Sequence, residues 1–279
     1  MSGPHDVCDV YGGRMNSPVI GHAFVRSAIA PMFAEPRVSS AQVSQHLAGH
    51  PLYVLESRDD HWHRVRGTDE YEGWMHDGYF RRMVDEAPVS PSTSLDFALE
   101  FVPRVSMGVI TRSERHGLRA LPLGAWLDLD EEIVDGETVP LPELEEHFAT
   151  APDAIAQSAV EWFEGTSYQW GGVTPWGADC SGFVQTIFGV HGVPLPRDAH
   201  QQALIGEEVS RDSLQPADLL FFSDRDDGRI THVGVALAGD RLAHIALGRG
   251  GFALEWLGDA EDSYVATLSS RFVTARRVV

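Results

Sequence analysis

The sequence contains no lysine: all 21 of its basic residues are arginine. That excludes Schiff-base chemistry on a lysine and a lysine-bearing phosphate loop. Basic charge of any kind is scarce, with 41 Asp and Glu against those 21 arginines and a formal net charge of −20. A field of that sign repels phosphate backbones and anionic lipid, so neither nucleic acid nor a membrane surface is an expected partner. Cysteine is rarer still. Cys8 and Cys180 permit one bridge and exclude a disulfide scaffold. Cys8 lies near the terminus, outside every motif, and is read as incidental. No apolar run approaches the roughly 20 residues of a membrane span, and the opening MSGPHDVCDVYGG lacks the basic and apolar parts of a secretory leader. These absences lead to the expectation of a soluble, cytoplasmic protein. What is present is an ordinary globular balance, 43% hydrophobic and 22% charged, which excludes disorder as the dominant state. A chain of 279 residues suits two domains or three.

Residues 1–19 are polar and rich in turn formers, and read as an N-terminal arm. Between 20 and 85, short apolar runs alternate with Gly, Pro and Asp. Leu52, Val54 and the stretch His61-Trp62-His63-Arg64-Val65 look like strands with one buried face, the texture of a small barrel. EAPVSPSTS, at 86–94, has the composition of a linker. Residues 88–148 repeat the short-strand texture and are expected to form a second small β domain, with the acidic tract 128–146 as a solvated linker.

From Pro152 the period becomes helical. Ile155, Ala159, Trp162 and Phe163 share one face between Pro152 and Gly165. A glycine-rich loop, TSYQWGGVTPWGADC, then leads into a second helix with Phe183, Val184, Ile187 and Phe188 at helical spacing and Gly192 and Pro194 at its exit. ADLLFF, THVGVALAG, RLAHIAL and GFALEWL follow as antiparallel strands. Helices first and strands afterwards make 152–279 an α+β domain.

Cys180 begins the second helix, where unpaired N–H groups and the helix dipole stabilise a thiolate and lower a thiol pKa. The alternative is a buried cysteine acting as a small hydrophobe. His232 lies at the start of the second of the strand-like segments and His244 twelve positions on, in the next. If those strands are neighbours, the two imidazoles can serve as base and orienter for the thiol. His61 and His63 alternate along one strand, a pattern that belongs to a solvated face more often than to a metal, and no H-E-x-x-H or G-x-G-x-x-G supports a metal or dinucleotide site. No cofactor is expected. Gly171-Gly172 lets the loop approach the cleft closely.

Tyr168-Gln169-Trp170-Gly171-Gly172 and Asp179-Cys180-Ser181-Gly182-Phe183-Val184 resemble the active-site signature of the NlpC family of bacterial cell-wall cysteine peptidases, which are papain-like. Leu195-Pro196-Arg197-Asp198, Gln201, Asp218-Leu219-Leu220-Phe221-Phe222 and Thr231-His232-Val233-Gly234 continue the resemblance in the same order, over about residues 150–279. It implies Cys180 as nucleophile, His232 as general base and His244 as the polar residue orienting that base. It also implies that the Tyr168 hydroxyl lies beside the nucleophile and that, with the Cys180 N–H, it holds the oxyanion. Asp179 and Ser181 would contact the free amino end of a substrate.

In the N-terminal half, Ala34-Glu35-Pro36, Trp62-His63-Arg64-Val65 and Tyr71-Glu72-Gly73-Trp74-Met75 resemble a bacterial SH3-type barrel. Such barrels precede the peptidase in γ-D-glutamyl-L-diamino acid endopeptidases, which cleave released murein peptides. There an acidic residue and a tyrosine of the barrel close the far end of the cleft; Glu35 and Tyr71 are the matching residues. The resemblance therefore implies SH3-like β barrels at 20–85 and 88–148, a peptidase at 152–279, a murein stem peptide with a free L-Ala as substrate, and a role in wall recycling. The expected protein is a monomer. Rival readings are a secreted endopeptidase acting on intact wall and a non-catalytic module that binds wall peptide.

Overall fold

The computed structural model describes residues 17–83 and 103–279. Residues 1–16 of the arm expected at 1–19, Cys8 among them, and the linker at 86–94 lie outside the described residues. The chain divides into two compact units, Met1–Glu143 and Leu144–Val279.

In the first unit, seven strands form an antiparallel sheet in the order Gln42–Leu47, Ile29–Phe33, Glu72–His76, Trp62–Arg66, Pro51–Ser57, Gly21–Val25, Phe80–Arg82. Their alternation puts Ala30 and Met32, Leu52 and Val54, Val65 and Met75 on one face. The same core takes in Phe80 from the far edge strand, so the sheet curls on itself as an SH3-like fold requires. His63 departs from the solvated face expected of it. It is buried, with Nδ1 3.0 Å from Ser57 Oγ and 3.0 Å from Arg82 Nη2. His61 sits on the turn before that strand, with φ of 68°, and faces Asp77 Oδ2 at 2.9 Å.

The sequence sets 88–148 apart as a domain; the structure instead joins its described strands to the same compact unit. Val109–Ser113 pairs with Gly117–Leu121 and Glu132–Asp135, and Arg104–Ser106 pairs with Thr138–Pro140. Trp126 N–H donates to Ala48 O at 2.8 Å, and Arg119 Nη1 to Arg26 O at 2.7 Å, tying these strands to the first seven. The acidic tract is not a solvated linker. Two of its segments are strands, and Glu131 is buried with both carboxylate oxygens on Arg119 at 2.6 and 2.8 Å and a further bond from Thr111 Oγ1 at 2.6 Å. Paired in this way, the carboxylate keeps its charge inside the fold.

The second unit begins with the short helix Leu144–His147 and the helix Pro152–Glu161, with Pro152 in its first turn. Ile155, Ala159 and Phe163 are fully buried, although Phe163 lies beyond the last helical residue. The central helix spans Cys180–Val190, and Phe163 meets Phe183 edge-on at 5.0 Å. A six-stranded antiparallel sheet carries the rest, in the order Glu207–Val209, Phe272–Arg277, Leu219–Phe222, His232–Ala236, Arg241–Ala246, Gly251–Trp256. The central helix buries Phe183, Val184, Ile187 and Phe188 in one core with Leu219, Val233, Val235 and Ile245 of that sheet. Helices before a sheet, packed on it, make this unit the α+β arrangement expected.

One contact sets the position of the helix start. A Cβ on Gly182 would lie 2.0 Å from Gly172 O, in the loop that precedes the helix. Gly171, with φ of 73°, turns that loop inward. Glycine inside a helix ordinarily costs stability relative to alanine, by about 1 kcal/mol. Here the sign reverses: Gly182→Ala is expected to destabilise the second unit by about 1–3 kcal/mol through overpacking against backbone. A thermal melt showing a lower Tm checks this; an equal or higher Tm removes the close-approach argument.

Candidate active site

Asp179 organises the site. Its extended backbone makes it the cap of the Cys180–Val190 helix, and its Oδ1 accepts from Gly182 N–H at 2.8 Å. Its Oδ2 accepts from Gly171 N–H at 2.8 Å, so one carboxylate pins both the loop and the helix. Arg197 donates to both oxygens, at 3.0 and 2.7 Å, and to Ser181 Oγ at 2.9 Å. All three side chains are buried, Arg197 to 1% exposure. The Ser181 hydroxyl also approaches Asp179 Oδ1 at 3.3 Å. A carboxylate offers about four acceptor sites, and this one is saturated. The contact expected between Asp179 and a substrate amine would require it to release Arg197 or a backbone donor.

Cys180 is a free, buried thiol at the first position of the helix. Its surroundings overturn the lowered pKa expected at a helix start. Burial, then the Asp179 carboxylate beside it, push the thiol up to about 12 against the N–H groups of Val233 and Ser181 and the Arg197 charge, which favour the thiolate. The Val233 bond puts the sulfur at the start of the strand whose first residue is His232. His232 is held neutral as well: burial, then neighbouring His244, lower its pKa to about 3. Both shifts favour the uncharged forms, so the surroundings oppose a preformed thiolate–imidazolium pair.

His232 Nε2 lies 2.9 Å from His244 Nδ1, the rings meeting edge-on with centroids 5.0 Å apart. The strand pairing sets Val235 opposite Ala243 and Ala236 opposite Leu242. Continued by one residue, that register puts Gly234 across from His244, so His244 can lean diagonally toward His232. With Nε2 engaged, Nδ1 of His232 is the nitrogen left for the thiol proton. His244 is fully buried, and its Nε2 lies 3.4 Å from Glu255 Oε1. Arg249 grips Glu255 at 2.7 and 3.1 Å and reaches Asp262 Oδ2 at 2.6 Å. Its guanidinium stands over the Tyr264 ring at 4.3 Å. The Glu255 carboxyl is held below the usual range by His244, against burial, with Arg249 adding to the effect.

Tyr168 pairs by an isolated bridge with Ala178, two residues before Cys180. Burial, and the repulsion that a thiolate at Cys180 and the Asp179 carboxylate would exert on a phenolate, push its hydroxyl above the ordinary tyrosine range, so it stays a neutral donor. The structure thus gathers Tyr168, Asp179, Cys180, Ser181, His232 and His244 in one unit. Glu35 and Tyr71 belong to the other. Glu35 is exposed and pairs with Arg37 at 3.0 Å, whereas Tyr71 is buried in the barrel core. Sequence reasoning singled out Gln201, which is exposed; its neighbour Gln202 is the buried one, donating to Ser181 O at 3.0 Å and Pro196 O at 2.8 Å. It also gave no role to Glu255. Both hydrogens of a buried amide at fixed loop carbonyls leave no ordinary sequence signal, but a lone Glu between Leu254 and Trp256 on a strand does.

The raised thiol pKa predicts the pH behaviour of Cys180. Alkylation of Cys180 by iodoacetamide is expected to accelerate continuously from pH 6 to 9, about tenfold per pH unit, because the thiolate fraction rises in that ratio far below the pKa. A plateau across neutral pH would instead report a preformed thiolate–imidazolium pair.

Residues 165–264 match the NlpC/P60 family, and residues 32–78 match the bacterial dipeptidyl-peptidase Sh3 domain. A γ-D-glutamyl-L-lysine dipeptidyl-peptidase of Bacillus subtilis (strain 168) is 43% identical over 96 residues, 34% of this chain and 32% of that protein. Its namesake from Bacillus cereus (strain ATCC 10987 / NRS 248) is 27% identical over 225 residues, 72% of this chain and 66% of that protein. The matches thus span from about a third to just under two thirds of these relatives. The crystal structure of an NlpC/P60 family protein from Bacillus cereus ATCC 10987 superposes with a TM-score of 0.70 at 20% identity, covering 92% of this chain and 99% of that one, which establishes the likeness of fold. Family match, fold and the Cys180–His232–His244 geometry agree: the second unit carries an NlpC/P60 cysteine-peptidase domain, and the first a bacterial SH3 domain.

Proposed function

We propose that this protein hydrolyses the bond between γ-D-glutamate and a diamino acid, diaminopimelate or lysine, in murein stem peptides with a free N-terminal L-Ala. The observation that carries the reading is the 2.9 Å contact between His232 and His244, with the thiol of Cys180 bonded by the residue next to His232. The names of the two Bacillus relatives support the choice of bond.

In this reading His232 Nδ1 takes the thiol proton as Cys180 Sγ attacks the glutamyl γ-carbonyl. Negative charge gathers on the carbonyl oxygen, where the Cys180 N–H and the Tyr168 hydroxyl are the donors. The imidazolium returns its proton to the amine of the diamino acid as the C–N bond breaks. Water, deprotonated by the same imidazole, then hydrolyses the thioester and releases the L-Ala-D-Glu dipeptide. With both groups pushed toward their neutral forms, the proton transfer in this reading accompanies the attack. A substrate with a free amino end and no glycan is a released fragment, which fits wall recycling inside the cell.

The first test is to incubate L-Ala-γ-D-Glu-diaminopimelate or intact wall with the protein and read the products by mass spectrometry. Release of L-Ala-D-Glu from the free tripeptide, abolished by Cys180→Ala, is the expected result. Cleavage of intact wall would overturn the recycling part, and no Cys180-dependent cleavage of either would favour a binding module.

The resemblance to barrel-bearing peptidases assigns Glu35 and Tyr71 to the substrate's amino end. A carboxylate there would pair with the ammonium, an interaction worth about 1.5–3 kcal/mol. Glu35→Gln is accordingly expected to raise KM for the tripeptide about tenfold or more with little change in kcat, whereas an unchanged KM removes Glu35 from the site.

A further inference from the structure

The strand Gly251–Trp256 is oriented against its own hydrophobicity. Leu254 and Trp256 face outward, 39% and 62% exposed, while Glu255 between them is 6% exposed. Burying a carboxylate and exposing a leucine and a tryptophan are both unfavourable, so the inner face must supply a compensating interaction. What Glu255 meets there is His244 Nε2 at 3.4 Å and the two-pronged grip of Arg249. The strand register sets His244 opposite Ala253, whose small side chain leaves room for Glu255, two residues on, to reach it diagonally. His232, His244 and Glu255 therefore form a diagonal row across three neighbouring strands.

That row resolves an ambiguity in the histidine pair. A neutral imidazole has one donor and one acceptor nitrogen. Two of them in series satisfy each other in either direction, and only one direction leaves His232 Nδ1 free of a proton. An ionised carboxylate only accepts. We propose that Glu255 is a positioning residue: it keeps the His244 proton on Nε2, so His244 Nδ1 accepts from His232 Nε2–H and His232 Nδ1 is left to receive the thiol proton. Arg249, Asp262 and the Tyr264 ring on the far side hold the carboxylate in place. The role builds on the catalytic reading of Cys180 and His232 above.

Glu255→Gln tests it. The amide would turn its oxygen to Arg249 and its NH2 to His244, reversing the row and placing a proton on His232 Nδ1. In long-range 1H–15N spectra, with the two histidines assigned through His232→Gln and His244→Gln, His232 is expected to change from the Nε2–H to the Nδ1–H tautomer. Turnover of L-Ala-γ-D-Glu-diaminopimelate should lose kcat by about tenfold or more, since general-base assistance is worth roughly 100-fold or above, while KM stays within about twofold. Arg249→Met, at a partly exposed position, gives the same tautomer change in part and guards against a Gln variant that fails to fold. An unchanged His232 tautomer in folded Glu255→Gln overturns the proposal, even if Tm and kcat fall together, because that pattern is structural support only. The spectra need no substrate, so they decide the role of Glu255 even if the tripeptide is not cleaved.

Discussion

The buried pair of Asp179 and Arg197 is the interaction on which the rest of the second unit depends. One carboxylate caps the central helix, anchors the glycine loop and is neutralised by a guanidinium from the segment after the helix. Three stretches distant in sequence are thereby fixed around the residue between the cap and Ser181. Such a pair is tolerable in the interior only because every acceptor is met; removing one partner of a buried pair costs about 3–5 kcal/mol. The arrangement also has a chemical price. The carboxylate that holds Cys180 in place opposes its ionisation, so geometry is obtained at the expense of a ready-made thiolate.

The sheet supplies what the helix withholds. Three adjacent strands each give one polar residue to the same face, and small residues stand where the row needs space. Ala253 lies across from His244 on one side, and the continued register brings Gly234 across on the other. A Cβ at Gly234 would come within 3.0 Å of Ala243 O and within 2.8 Å of the Leu242 side chain, so the strands are already close there. The imidazoles sit in a row whose spacing is set by backbone pairing, not by flexible loops.

Much of this was legible in the sequence. The two principal helices, four of the strands in the second sheet and the Cys180, His232 and His244 set follow from period, punctuation and motif order. What escaped has a common physical cause: charge where sequence patterns predict solvent. Arg197 stands in the sequence only as part of a motif and Glu131 as part of an acidic tract, yet each is inside because its counter-charge is too. The acidic tract looked like a linker for the same reason. Glu255 inverts the alternation of its strand: a lone Glu between Leu254 and Trp256 is visible in the sequence, but period alone assigns it to the solvent face. The pKa of Cys180 could not be read from its place at a helix start, because the dipole acts alongside a carboxylate and a dry surrounding that only the fold assembles. The strand Phe272–Arg277 carries no strand signal, because its apolar residues Phe272 and Val273 and its arginines Arg276 and Arg277 stand side by side and do not alternate.

The burial that opposes ionisation of Cys180 bears on the lifetime of the protein as well as on its chemistry. Oxidants attack thiolates, and the path from sulfenic to the irreversible sulfinic and sulfonic acids begins with that first step. A buried thiol whose ionisation is opposed offers peroxide little thiolate to react with. The features that slow its ionisation thus preserve the sulfur between turnovers.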